Sequence, residues 1–245
     1  MKHYLISGVA ACLLGAASLG VSPVALAQQT TEPDLTDTLA DPRNLPEALT
    51  AEKAPKDAQS RAEKDAETLR RIEKSLNSIK SMTAAFVQRA PDGTVAEGTL
   101  SLERPGKLRF DFGDDAPFLV VSNGNLLTFI DYDVKQVSRW PIKKTPLGIL
   151  VDDEIRFDGS VEVPDIVYFA GLVKVPVIDP ERQEYGYIVL IFEESSMELR
   201  SWEVIDAQGY TTRVALINPQ YNVKIDEKAF TYKDPRPPKR GPRRH

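Results

Sequence analysis

The sequence predicts a mainly β chain with some helix, arranged as one antiparallel meander of about eleven strands that is curled or partly closed. Three observations carry that expectation. From Thr83 onward apolar and polar residues alternate with a period of two. Turn-forming clusters such as Pro-Asp-Gly (91–93), Arg-Pro-Gly (104–106), Asn-Gly-Asn (123–125), Asp-Pro-Glu-Arg (179–182) and Ala-Gln-Gly (207–209) separate the alternating runs at hairpin spacing. A single stretch of helical period comes before them, and nothing of helical period and comparable length follows.

Taken in order, the first 27 residues read as a targeting segment. Lys2 and His3 lead an apolar stretch from Tyr4 to Leu19, and Ala25-Leu26-Ala27 offers the small-x-small pattern of a cleavage site. Gly8, Gly15, Gly20 and Pro23 punctuate that stretch, so an exported, soluble product cut after Ala27 is expected rather than a membrane span. Val9-Ala10-Ala11-Cys12 matches a lipoprotein acylation motif. Few apolar residues precede the cysteine and a long apolar run follows it, which favours a place in the signal's core. Residues 28–57 are polar and proline-punctuated, as a flexible lead-in would be. A helix is expected over 58–80, where Leu69, Ile72, Leu76 and Ile79 form one apolar stripe that Ala62 and Ala66 extend upstream.

Strands are expected over 83–89, 95–102, 107–112, 118–122, 126–131 and 136–142, then over 161–169, 172–178, 187–192, 199–206 and 210–217. A short helix interrupts them at 144–151, with Pro146 near its start. Leu100, Leu102, Leu108, Phe110 and Phe112 share one face of two successive strands. Phe118–Val121 and Tyr187–Phe192 are apolar on both faces, so something covers them outside as well, and the two helices are the candidates. Periodicity alone is compatible both with a solid core and with a groove. The folded domain is placed at 58–232, ahead of a basic, Pro-rich tail at 233–245.

Composition narrows the chemistry. The only cysteine is Cys12, and the two histidines are His3 and His245, at the ends of the chain. On that reading the folded part has no thiol, no imidazole and no His- or Cys-ligated metal, and the glycine-rich nucleotide loops and serine-nucleophile motifs are missing. Neither an enzyme nor a cofactor is expected. The acidic pairs Asp114-Asp115, Asp152-Asp153 and Glu193-Glu194 fall at turns, where solvation accounts for them. The chain carries a net charge of −5. Against that acidic body the tail holds Lys233, Arg236, Lys239, Arg240, Arg243 and Arg244 with only Asp234 opposing. Such a balance does not suit nucleic acid, which needs a broad basic footprint.

One residue is left over. Pro105 and Gly106 satisfy the turn at 104–106, and Arg104 is either a solvated turn residue or a group placed to hold something. Its surroundings resemble a known family. Phe86-Val87-Gln88, Gly98-Thr-Leu-Ser-Leu-x-Arg104-Pro105-Gly-Lys-Leu-Arg-Phe110, Val121-Ser-Asn-Gly124, Tyr132-Asp-x-x-x-Gln136-Val137, Thr145-Pro146-Leu147-x-x-Leu150, Leu199-Arg-x-Trp202 and Asp206-Ala-Gln-Gly209 stand in the order and spacing of the periplasmic lipoprotein carrier family, LolA.

The resemblance implies an incomplete, half-open antiparallel β-barrel of about eleven strands, with helices over its concave hydrophobic face. It implies a monomeric periplasmic carrier of acylated lipoproteins. Cargo would come from an inner-membrane ABC complex and pass to an outer-membrane receptor, or to the outer membrane itself. Arg104 would latch a lid containing Pro146, Leu147, Ile149 and Leu150. Leu100, Leu102, Leu108, Phe110, Phe112, Phe118, Phe129, Trp140 and Trp202 would line the acyl-chain cavity. Thr128 stands where the family often has an aromatic residue, and Asn123 where it usually has Asp. An anchored receptor of related fold acylated at Cys12, and a regulator that senses lipid or lipoprotein, are the alternatives.

Overall fold

The computed structural model describes residues 53–114 and 116–237. The expected signal segment, most of the lead-in and the end of the basic tail lie outside these residues. The chain divides into two compact units between Glu67 and Thr68, inside one helix, α1 (Lys53–Asn77). Helix α1 starts at Lys53 rather than Ala58, because Pro55 falls in the first turn, where the missing N–H is tolerated. Up to Glu67 it is polar, Arg61 sits 3.8 Å from Asp65 one turn on, and Ala62 and Ala66 are exposed instead of continuing the stripe. Burial of its face begins at Thr68 and runs through Ile72 and Leu76.

From Thr68 onward the second unit is a single sheet of eleven strands. They are β1 (Ser81–Arg89), β2 (Val95–Glu103), β3 (Lys107–Asp111), β4 (Phe118–Asn123), β5 (Leu126–Asp131), β6 (Gln136–Pro141), β7 (Val167–Phe169), β8 (Leu172–Val177), β9 (Tyr187–Glu193), β10 (Leu199–Ile205) and β11 (Thr211–Tyr221). The spatial order is β6-β5-β4-β3-β2-β1-β11-β10-β9-β8-β7. Every neighbouring pair is antiparallel, and β1 meets β11 at the centre. The sheet is left open between β6 and β7. The chain passes from one of these edges to the other through residues 142–166.

Two strands differ from expectation, both because of proline. Strand β7 is confined to 167–169, with a lone bridge from Glu162 to Ile178 standing for the rest of 161–169. Pro164 has no N–H to give a ladder. Strand β11 instead runs past the Asn218-Pro219 pair to Tyr221, through a bulge opposite β1 in which Asn218 takes a φ of 48°. Between β2 and β3, glycine is required at Gly98. A Cβ there would stand 2.1 Å from the Asp111 carbonyl oxygen and 2.9 Å from the Phe86 ring.

One core fills the inner face of the sheet. Phe86, Leu100, Leu108, Phe110, Val175, Leu190, Trp202 and Val214 are buried in it together with Ile72 and Leu76 of α1. A second, smaller cluster lies on the outer face, where Leu119, Val121 and Ile130 of β4 and β5 meet Phe230. Helices were the expected cover there. The cover is the C-terminal segment 225–232, which includes a 3-10 turn over Glu227–Phe230. The Asp226 carboxylate caps that turn by accepting from the Lys228 N–H.

Candidate functional site: a latched lid over an apolar interior

The edge-to-edge segment is built from short pieces. A 3-10 turn (Ile142–Lys144) is followed by extended Thr145, and then by the single helical turn α2 (Gly148–Val151) with Leu147 as its N-cap. The expected continuous helix over 144–151 is thus broken in two. A residue before proline is pushed out of the α region, and Thr145 has φ −95° and ψ 153°. Its hydroxyl donates to the Ile142 carbonyl at 2.8 Å, which ties the break together.

Ile142, Leu147, Leu150, Val151, Ile155 and Phe157 all enter the inner core. Of the four predicted lid residues, Leu147 and Leu150 are buried against the sheet. Pro146 and Ile149 are half-buried and line a groove of about 680 Å³ with Lys143, Asp152 and Tyr187, whose wall includes the inner-core residues Ile155, Val177 and Ile188. Arg182 crosses that groove's rim, donating to the Lys143 carbonyl at 2.9 Å and pairing with Asp179 at 2.9 Å.

Arg104 lies beneath this segment in the β2–β3 turn, just before a cis Arg104–Pro105 peptide bond. Its Nε donates to the Leu150 carbonyl of α2 at 3.0 Å. Its Nη1 donates to the Ile79 carbonyl at 3.1 Å and to the Leu76 carbonyl. Leu76 closes the last turn of α1, where carbonyls lack helical partners and the helix dipole favours a cation. One guanidinium therefore joins three elements, because its donors are fixed in a fork that reaches several oxygens. The same turn adds a backbone bond, from the Gly106 N–H to the Val151 carbonyl at 2.8 Å. Glycine is needed at 106, since φ is 76° and a Cβ would stand 2.3 Å from the Gly124 oxygen.

Burial pushes the Arg104 guanidinium down to about 10, with Asp152 opposing that shift, so it stays charged at neutral pH. Burial likewise raises the Asp152 carboxyl against the pull of Lys143, Arg104 and Arg182. Desolvation leads at both, and no ion pair within 4 Å joins them among the described residues.

Two further fastenings hold the segment downstream of the lid. The Asn77 side chain pairs with the Ile155 backbone in both directions, at 2.9 Å to its carbonyl and 2.8 Å from its N–H. Glu73 accepts from the Phe157 N–H at 2.7 Å.

Beneath the lid the predicted cavity residues come together. Leu100, Leu102, Leu108, Phe110, Phe112, Phe118 and Trp202 are buried in the inner core, and half-buried Phe129 and Trp140 pack at its margin. A chain of ring contacts runs through it: Phe86–Phe110 at 5.3 Å, Phe86–Phe112 at 5.2 Å, Phe112–Phe118 at 4.6 Å and Phe110–Trp202 at 6.2 Å. Phe86 sits at its centre yet is absent from the sequence-based set. Its place alternating with Met82, Ala84 and Gln88 in β1 was the available signal. Thr128 does not shape this interior. It lies one residue from inward Leu127 and pairs with Val121 of the outer cluster.

Directly beneath Arg104 the interior has little space. A void of about 20 Å³ lies below Arg104, lined by Leu76, Leu102, Leu150, Trp202 and Tyr221 among others. Among the described residues no group of His, Cys, Asp or Glu is placed to hold a metal ion, and no helix is long and apolar enough to cross a membrane.

With this geometry in place, comparison with known proteins is direct. The family described as outer membrane lipoprotein carrier protein LolA matches residues 77–233. The outer-membrane lipoprotein carrier protein of Methylococcus capsulatus is 25% identical over 174 residues, covering 67% of this chain and 83% of the relative. Its counterpart in Pseudomonas aeruginosa is 27% identical over 181 residues, 70% of this chain and 86% of the relative. A solved LolA superfamily protein from Nitrosomonas europaea aligns over 67% of this chain and 97% of its own, at 11% identity and a TM-score of 0.39.

Proposed function

The chain belongs to the LolA family of outer-membrane lipoprotein carrier proteins, and on that premise we propose that it is a soluble periplasmic chaperone. In this reading it takes acylated lipoproteins from an inner-membrane ABC complex and delivers them to the outer membrane or a receptor there. Residues 1–27 serve as the cleaved signal, and no bond in the cargo is made or broken.

The observation that supports the reading best is the buried Arg104 fork. It ties the carbonyl of Leu150 to the end of α1 above a largely apolar interior. Each acyl methylene left in water costs about 0.8 kcal/mol, so a lipoprotein does not cross an aqueous compartment unshielded. A void of about 20 Å³ admits no acyl chain. Loading beneath Arg104 therefore requires Leu150 to withdraw, and Arg104 holds the Leu150 carbonyl in place. Bonds from a charged donor are worth about 1.5–3 kcal/mol each, which biases the closed form and still lets apolar cargo open it.

A release assay tests this. Spheroplasts are incubated with the purified protein, and acylated outer-membrane proteins are sought in the supernatant in complex with it. Their appearance supports the carrier; failure to extract any rejects it. The mass of the mature N-terminus decides between carrier and receptor. Cleavage after Ala27 fits the soluble carrier, and diacylglyceryl on Cys12 replaces it with an anchored receptor.

A further inference from the structure

The inner core is largely apolar, yet it holds buried polar atoms without a hydrogen bond, Thr212 Oγ1 among them, and two of these belong to residues that line one void. The indole Nε1 of Trp202 and the phenol oxygen of Tyr221 are both buried without a hydrogen bond. Trp202 is 0% exposed, at the middle of β10 between Leu190 and Val214. Tyr221 ends β11 opposite Met82. Both side chains line the same void of about 20 Å³, which also touches Leu150 of the lid and Arg104. A volume of that size takes about one oxygen-sized group.

Hydrocarbon gives these atoms nothing, and Phe at both positions would fill the core at no polar cost. We infer that Trp202 and Tyr221 form a polar subsite under the lid that takes the ester carbonyl of an acyl-glyceryl group. This rests on the carrier reading and names the part of the cargo that the interior recognises beyond its chains. The donors are an uncharged N–H and O–H, which suit a neutral carbonyl oxygen better than a carboxylate. The place fits as well, because withdrawal of Leu150 and Arg104 uncovers the void as the lid opens. An ester bonded there satisfies donors that burial otherwise leaves empty, while the chains beyond it meet only apolar walls.

The test compares two synthetic ligands on the purified protein: a cysteinyl peptide carrying a dipalmitoyl-glyceryl group, and its dihexadecyl ether analogue, which lacks the carbonyls. The wild type is expected to bind the ester about tenfold more tightly than the ether, the scale of one hydrogen bond to a buried donor. Tyr221→Phe is expected to lower ester affinity toward that of the ether and to leave ether affinity unchanged, and Trp202→Phe to lower the ratio of ester to ether affinity. Tyr221→Phe is the milder change and serves if Trp202→Phe does not fold. Equal binding of the two ligands by the wild type overturns the subsite and leaves the carrier reading standing. Binding of neither overturns both. A diester phospholipid that shows the same preference over its diether supports the subsite and extends its ester to membrane lipids.

Discussion

The two faces of the β2–β3 hairpin hold down two different segments, and they do so by different physics. On the inner face a single part-buried cation, Arg104, binds backbone carbonyls of α1 and of the lid. On the outer face two part-buried cations of β3 hold the C-terminal strap 225–232. Lys107 meets Glu227 at 2.6 Å and lies 5.7 Å from the centre of the Phe230 ring, and Arg109 donates to the Ala229 and Thr231 carbonyls at 3.2 Å. Phe230 anchors the strap by burial among Leu119, Val121 and Ile130. The strap is thus fixed by packing, with charges at its rim. The lid covers a larger apolar surface, but its register depends on a few directed bonds. Under the carrier proposal only the inner closure has to open.

That contrast can be broken at several points, in decreasing order of effect. Arg104→Leu removes three bonds and leaves the Leu76, Ile79 and Leu150 carbonyls without their donor. A loss of about 3 kcal/mol in denaturant unfolding is expected. The same variant should accept cargo and pass it on poorly, since the empty closed form is no longer favoured; delivery at the normal rate contradicts the latch. Phe230→Ala should cost about 2–3 kcal/mol by emptying the outer cluster. It should leave lid protection in hydrogen exchange as it was. Asn77→Ala should cost about 1–2 kcal/mol and raise amide exchange around Ile155 while Leu150 stays protected. Lys107→Ala should cost under about 1 kcal/mol, and the loss should shrink in high salt, as for other surface pairs.

The smallest effect concerns pH. Burial holds the Asp152 carboxyl above its usual value, so its charge disfavours the folded state at neutral pH. That cost disappears as pH falls through the raised value, because the folded form then binds the extra proton first. Asp152→Asn should therefore be slightly more stable than wild type near pH 7 and should lose the gain that wild type shows on mild acidification.

Much of the sheet was legible because alternation reports which face is buried, and the turn residues marked the hairpins. Leu100, Leu102, Leu108 and Phe110 could be placed inside on parity alone. What was not legible depends on main-chain atoms or on segments without period. The Leu76 and Ile79 carbonyls that Arg104 binds have no sequence signature, so half of the latch was invisible. The outer face of Phe118–Val121 announced that it needed a cover, but Ile225, Ala229, Phe230 and Tyr232 follow no helical or strand spacing, and the cover was assigned to helices instead. The break at Thr145-Pro146 and the bulge at Asn218-Pro219 were both written in prolines. One split an expected helix and the other was bridged by a strand, because the bulge absorbed the missing donor. The buried atoms of Trp202 and Tyr221 were hidden for a further reason: aromatic residues at apolar positions read as core whether or not their polar ends are paired.

The most direct measurement of the central claim is hydrogen exchange, read by mass spectrometry, on the protein with and without a diacylglyceryl peptide. Loading should remove protection from 145–151 and from the last turn of α1, while 225–232 keeps its protection unchanged. A lid that stays protected with cargo bound, or a strap that opens in its place, would contradict the account of which closure gives way.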